Sequence, residues 1–287
     1  MKTNLDCIPC LLKQALQASR MANTDVLTQE HVLRATLDYL SAEKQWSKPP
    51  ALLAARIQNL IITLTGVKDP FKEVKYLSNE EALKFYSDMK TLVNKHSDPL
   101  LAAVKIAIAG NIVDYGAFAG QISTGSLNFE QIVKDTINRP FAHDDYSLLK
   151  KTLKNAKSLL YLVDNAGEIV FDRVLLETIQ DFKNKSLDLT VIVKENPFIN
   201  DAMLPDAEQA GLQTISNLKL KSMTLPIHFS DLFQQFHFFD VIISKGQANY
   251  ELFNEKAGIF FLLMVKCPII TRDLGISSGE IIIQYSR

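Results

Sequence analysis

The chain is poor in cysteine, has a single tryptophan and carries almost no net charge. Its 287 residues include three cysteines, with 31 Lys and Arg set against 32 Asp and Glu, for a formal charge of −1. A small, odd cysteine count argues against a disulfide framework. A charge balance near zero offers no basic surface for nucleic acid or for an anionic membrane. No apolar run approaches the ~18 residues that span a bilayer. The opening MKTNLDCIPCLLKQ interrupts the apolar stretch of a signal peptide with polar residues and a proline. A cytoplasmic protein with neither nucleic-acid nor membrane partners is expected. No sequence feature bears on its oligomeric state.

Several catalytic signatures are also missing. No GxGxxG follows a strand-like run, and neither GxxxxGK[ST] nor GxSxG occurs. His31, His96, His143, His228 and His237 form no metal-spaced pair. Cys7-Ile8-Pro9-Cys10 has the spacing of half a zinc site or of a redox pair. However, no second pair exists, and the motif opens a helical region instead of following a strand. Small buried hydrophobes near a helix start are the favoured reading of these cysteines.

What is present is a globular chain: 47% apolar, 22% charged, and long enough for one large or two ordinary domains. The first half reads as helical. Pro9 fits the first turn of a helix through Leu11, Leu12, Ala15, Leu16 and Ala18, and Thr24 or Thr28 can cap the next. Ser78-Asn79-Glu80-Glu81 reads as a capping box opening a helix through Leu92. Asp98-Pro99 supplies a cap and an N1 proline for the buried helix LLAAVKIAIAG, and residues 140–146 read as a loop.

After Lys157 short β-rich runs alternate with helix-length segments. The strands expected are Leu159–Val163, Leu189–Val193, Gln213–Ile215, Val241–Ser244, Ile259–Val265 and Ile281–Gln284. Helices are expected at about 167–184, 200–210, 228–237 and 247–256. Such alternation implies an α/β fold with a mainly parallel, Rossmann-like sheet and right-handed crossovers. The expected organisation is a helical region, 1–150, packed against a sheet domain, 151–287.

Open α/β sheets place their chemistry beyond the carboxyl ends of the strands. Here those ends carry Asp164-Asn165, then Asn200-Asp201, then Lys245-Gly246-Gln247-Ala248-Asn249. Asp164 and Asn165 alone would equally suit a helix cap. Oxygen donors without histidine or cysteine favour a hard divalent ion, magnesium or manganese, over zinc or copper. Lys245, Gly246 and a following helix N-terminus suit an anion, most plausibly phosphate. Asn111 and Asp114 sit at the end of the buried helix, as local caps or as site residues.

The motifs CIPC, GNIVDYG, LVDNAGEIVFD, KENPFINDAM and SKGQANYE occur in this order. Together they resemble the small stand-alone archaeal and bacterial members of a family first known as a domain of unknown function. That family is now associated with metal-dependent damage-control phosphatases. The resemblance spans essentially the whole chain. It implies a divalent metal (Mn2+, Mg2+, Co2+ or Ni2+) held by Asp164, Asn165 and Asp201, with Lys245 on the phosphate and Gly246 and Asn249 nearby. Asn111 and Asp114 would line the same pocket, with Glu168 as an outer member. The expected substrate is a small phosphorylated metabolite, a sugar phosphate or a phosphopantetheine-like compound. Asp201 or Asp114 could serve as the base, and the nucleophile could be water or an aspartate. Two other functions remain open: S-adenosylmethionine-dependent methylation of protein carboxylates, and non-catalytic binding of a metal or metabolite.

Overall fold

The computed structural model describes residues 1–43, 46–111, 129–224 and 229–287. Three helices come first: α1 (Cys7–Met21), α2 (Val26–Ala42) and α3 (Pro50–Thr65). Asp25, and not Thr24 or Thr28, caps α2 by accepting the Thr28 N–H at 2.8 Å. The three helices bury Leu11, Val32, Leu40, Leu53 and Ile57 against one another.

Next come α4 (Lys72–Lys84) and α5 (Tyr86–Lys95). The expected capping box at Ser78–Glu81 lies inside α4. The Ser78 hydroxyl bonds back to the Val74 carbonyl at 2.7 Å, and the buried Asn79 side chain finds partners in other elements. A helix-start pattern has thus been used for packing. α6 (Pro99–Gly110) starts as expected, with Asp98 accepting from Leu101 N at 3.3 Å. Nearly every residue of α6 is buried. α7 (Phe129–Asn138), a two-residue strand β1 (His143–Asp144) and α8 (Tyr146–Asn155) lead into the sheet half. The strand falls in the segment expected to be loop, because two residues are too few to show a period.

The sheet half runs β2 (Ser158–Leu162), α9 (Glu168–Phe182), β3 (Asp188–Lys194), α10 (Leu204–Gln209), β4 (Leu218–Met223), α11 (Phe229–Gln235), β5 (Val241–Lys245), α12 (Gln247–Phe253), β6 (Phe260–Met264), α13 (Pro268–Leu274) and β7 (Ile281–Tyr285). The seven strands lie in the order β1-β7-β6-β5-β2-β3-β4. Strands β2 to β6 are parallel, β7 is antiparallel to β6, and β1 is parallel to β7. The expected strand at Gln213–Ile215 is instead a single 3-10 turn, Leu212–Thr214. The true strand, LKLKSM, pairs Leu218 with Leu189 at the sheet edge. Its alternating, half-exposed pattern carries too few apolar residues to look like the buried central strands.

Apolar layers cover both faces. On one face, α6 and α9 pack against each other and onto Leu159, Tyr161, Val191 and Ile243. On the other, Tyr250, Phe253 and Ile270 cover Leu160, Ile242 and Phe261. The strand order reverses between β2 and β5, so the crevice between their carboxyl ends is the topological switch point of the sheet.

Candidate active site

Two main-chain loops are laced together beyond β2 and β3. Ala202 N–H donates to the Asp164 carbonyl at 2.8 Å, and Ala166 N–H to the Asn200 carbonyl at 2.9 Å. Asn165 and Asp201 face each other as an isolated antiparallel bridge. Asp164, Asn165 and Asp201 are thereby brought together and line a cavity of about 470 Å³ with Asn111, Gln247, Glu251 and Lys266. Ile199, in the second loop, is a β-branched residue held at φ 47°, where a left-handed backbone costs about 1–2 kcal/mol. Its side chain packs on the α1–α3 cluster, so the helical half helps to hold the loop in this shape.

The side chains form one network. Asn165 and Asn111 donate to Asp164 Oδ2 at 2.8 and 3.2 Å, and both also donate to Glu168 Oε2, at 3.4 and 3.1 Å. Asn111 therefore serves the cluster through its side chain while ending α6 through its backbone. Gly110 allows this close approach, because a Cβ there would lie 2.9 Å from Phe171 Cγ on α9. Asp114 lies outside the described residues.

Lys245, expected to hold a phosphate, is turned inward. It has no solvent exposure, and its ammonium donates to Glu168 Oε1 at 2.6 Å, Asp172 Oδ1 at 2.7 Å and the Ala107 carbonyl at 2.8 Å. Those acceptors account for its three N–H groups and leave none for a ligand in the cavity. Burial alone would lower its pKa, but the Asp172 and Glu168 carboxylates win and push it up. Gly246 has φ +79°, and a Cβ there would sit 1.9 Å from Asp164 Oδ2. Asn249 ties β5 to β2, donating to the Val163 and Lys245 carbonyls at 3.0 and 2.9 Å. Its oxygen accepts from Lys194 Nζ at 3.3 Å.

The electrostatics leave a deficit. The buried groups here are the carboxyls of Asp164, Glu168, Asp172 and Asp201 and the ammoniums of Lys194 and Lys245. Among the described residues these four carboxyls outnumber the two ammoniums, and only Lys75, paired with Asp69, adds a further buried positive charge acting on Asp201. Burial accordingly drives Asp164 well above the usual carboxylate range, helped by Glu168 and Asp201 and opposed by Lys194 and Lys245. Burial likewise raises Asp201 to about 6 against the pull of Lys194, and Asp172 to about 6 against that of Lys245. Among the described residues, Asn111 Oδ1 and Asp201 Oδ2 are buried without a hydrogen-bond donor. Oxygen-only donors, two orphaned acceptors and an excess of buried carboxyls fit one hard divalent cation. Among the described residues no three His, Cys, Asp or Glu side chains could hold a metal ion, so a site here depends on asparagine oxygens.

Three contributors escaped the sequence reading. Asn79 on α4 accepts the Gly167 N–H at 2.6 Å and donates to Asp206 and Gln209 at 2.9 Å each, fixing the turn after β2 from outside. Lys194 ends β3 beside Asp201, 3.4 Å from Oδ2. Lys266 follows β6, lines the cavity and donates to the Asn111 carbonyl. Both lysines directly follow expected runs, Leu189–Val193 and Ile259–Val265, so the strand-end rule points to them as well. Cys7, Cys10 and Cys267 also line the cavity. Cys7 is buried as expected, whereas Cys10 is exposed.

A mainly parallel sheet with an oxygen-rich polar cluster lining a cavity at its switch point defines an α/β protein with a candidate active site at its strand ends. Across residues 3–282 the chain matches the description "Damage-control phosphatase ARMT1-like domain". The chain belongs to that family. It is 31% identical to a damage-control phosphatase of Archaeoglobus fulgidus, covering 98% of each chain. It is 29% identical to the damage-control phosphatase PH1575 of Pyrococcus horikoshii, over 98% of this chain and 97% of that one. The crystal structure of a duf89 family protein from Pyrococcus horikoshii superposes with a TM-score of 0.87, at 29% identity and full coverage of both chains. No helix among the described residues is long and apolar enough to cross a membrane.

Proposed function

We propose that the chain is a metal-dependent phosphatase that hydrolyses phosphomonoesters of small metabolites. The observation that carries the reading is the buried charge deficit at the switch point, bordered by orphaned oxygens of Asn111 and Asp201. Asp164, Asn165 and Asp201 would hold the ion, with the Asn165 amide turned so that its oxygen faces inward. The ion would supply Lewis-acid polarisation of a phosphoryl oxygen and offset the charge that develops there.

The chain's own residues account for the rest. Lys266, a cation on the cavity wall, meets the phosphoryl oxygens and stabilises charge on the transferring group. Lys245 acts from behind, holding Glu168 so that the Asn111 amide stays aimed at Asp164. Asp201, beside the cavity, presents a carboxylate that can take a proton from an attacking water. The apolar wall of Leu11, Ala51, Ala54 and Phe198 limits the water around the ester. The cavity volume suits a small metabolite ester, in line with sugar phosphates or phosphopantetheine-like compounds. The turn after β2 does not suit a nucleotide-like methyl donor. Its Ala166 and Gly167 amides are already bonded, to Asn200 and Asn79.

The test is a panel of phosphorylated metabolites assayed with manganese, magnesium, cobalt and nickel in turn. Asp164→Ala is expected to abolish metal-dependent phosphate release while the far-ultraviolet circular dichroism stays that of the wild type. Full activity in that variant refutes the assignment.

A further inference from the structure

Lys194 belongs to no motif, yet its ammonium is buried in the cluster. It is the last residue of β3, 5% exposed, and its backbone N–H bonds to the Ala202 carbonyl at 2.9 Å. That bond registers Lys194 against the loop carrying Asp201. Its side chain then points along the same loop. Nζ lies 3.4 Å from Asp201 Oδ2 and 3.3 Å from Asn249 Oδ1. Asn249 is fastened to the carboxyl ends of β2 and β5 through the Val163 and Lys245 carbonyls. A continuous chain of contacts therefore runs from both strands of the switch point, through Asn249 and Lys194, to Asp201.

The geometry of the last contact is informative. Lys194 and Asp201 form an ion pair in which Oδ2 receives no hydrogen bond of normal geometry. The ammonium holds the carboxylate in place by charge and leaves that oxygen's lone pairs uncommitted. The ammonium offsets buried carboxylate charge, and it does so immediately beside a proposed cation site. Two like charges repel, and burying an ammonium costs several kcal/mol unless it secures something.

We propose that Lys194 is a positioning residue that fixes the Asp201 carboxylate for cation binding, acting through Asp201 and not by contact with the ion or the substrate. The inference rests on the reading of Asp164, Asn165 and Asp201 as the cation site. Its consequence has a sign opposite to that of simple charge. Were Lys194 only a repulsive neighbour, removing its charge would tighten binding of a dication. As the anchor of Asp201, its removal loosens binding.

The experiment is isothermal titration of manganese into metal-free wild-type protein and into Lys194→Met, Lys194→Arg and Asp164→Ala, with thermal melts on each. Lys194→Met is expected to bind manganese about tenfold or more weakly, the usual cost of losing a residue that orients a ligand. Lys194→Arg, which keeps the charge and the reach, is expected to recover most of that loss. In steady-state assays Lys194→Met is expected to need more manganese for half-maximal rate, with KM for the ester at saturating metal unchanged. Equal or tighter manganese binding by a folded Lys194→Met overturns the proposal. If Lys194→Met melts below the assay temperature, Lys194→Gln takes its place, judged by the same binding criterion. Binding by the wild type that persists in Asp164→Ala overturns the cation-site reading itself, and absence of binding by the wild type overturns both.

Discussion

Gly246 offers the sharpest test of the geometry. Its φ of +79° and the Asp164 carboxylate 1.9 Å from the position of an added Cβ make Gly246→Ala a double perturbation. The backbone alone costs about 1–3 kcal/mol for a residue with a Cβ, because φ +79° with ψ 166° is a conformation open almost only to glycine. The steric part is larger. Restoring ordinary contact at about 3.4 Å requires the carboxylate, the strand end or both to give by about 1.5 Å. Asp164 cannot yield that distance and keep its place opposite Asn165 and Asp201, since a functional side chain tolerates about 0.5 Å of error. Displacements of ~1 Å commonly cost about 100-fold in rate, or ~2.7 kcal/mol of transition-state stabilisation. The assay is phosphate release from a generic phosphomonoester with manganese, beside a thermal melt. Gly66→Ala is the control, because Gly66 has φ +70° and nothing within 4 Å of its added Cβ. Both variants are expected to melt a few degrees lower, and only Gly246→Ala to lose activity by about 100-fold or more. Activity within about twofold of wild type, in a Gly246→Ala protein that folds, would refute the placement of Asp164 against the β5 turn.

Two other outcomes are accessible. Asn79→Ala leaves the Gly167 N–H and the buried Asp206 carboxylate short of a partner, at a cost of about 2–4 kcal/mol. It should lower both the denaturation midpoint and kcat. A pure stability loss with unchanged kcat would show that the Gly167 turn keeps its shape unaided. At the other end of α6, burial by itself would raise the Asp98 pKa, but Lys150 and Tyr146 hold it below the ordinary carboxylate value. A depressed folded-state pKa contributes stability that is present above the unfolded value and lost as pH falls through the folded one. Asp98→Asn should therefore flatten the acid limb of unfolding free energy against pH below about pH 5, from the ordinary carboxylate pKa downward, and leave the slope near neutrality unchanged. Limbs of equal slope in chemical denaturation would rule out the linkage.

The parts of this molecule that were legible in sequence are those fixed by local pattern. The buried central strands announce themselves through runs such as LLYLV and VIIS, and their polar terminations place Asp164, Asn165 and Asp201 on one edge before any coordinates are known. Edge strands are another matter. Leu218–Met223 is half exposed and mixes lysine with leucine, so its pattern carries little signal beside the apolar Leu212–Ile215 stretch that precedes it. Side-chain direction is less legible still. Lys245 and Lys266 both follow a parallel strand, yet one is sealed among carboxylates and the other faces the cavity. The choice depends on α6 and α9 delivering the Ala107 carbonyl, Glu168 and Asp172 to one point, which is information held in tertiary packing. Asn79 shows the same limit in reverse, since a residue in what reads as a cap is spent on a turn 88 positions away.

The lacing of residues 164–166 to 200–202 has a mechanical consequence. The side chains proposed to grip a cation stand on two loops, but the Ala166 and Ala202 amides join those loops main chain to main chain. The opening of the jaws is then set first by peptide geometry, with the Ile199 and Asn79 side chains bracing the loops from outside. Under the proposed cation-site reading, ions of different radius would meet a gap held by main-chain bonds, and discrimination among them would be a matter of calibre. Exchange of the Ala166 and Ala202 amide hydrogens would report the two loops opening together, as one hinged piece.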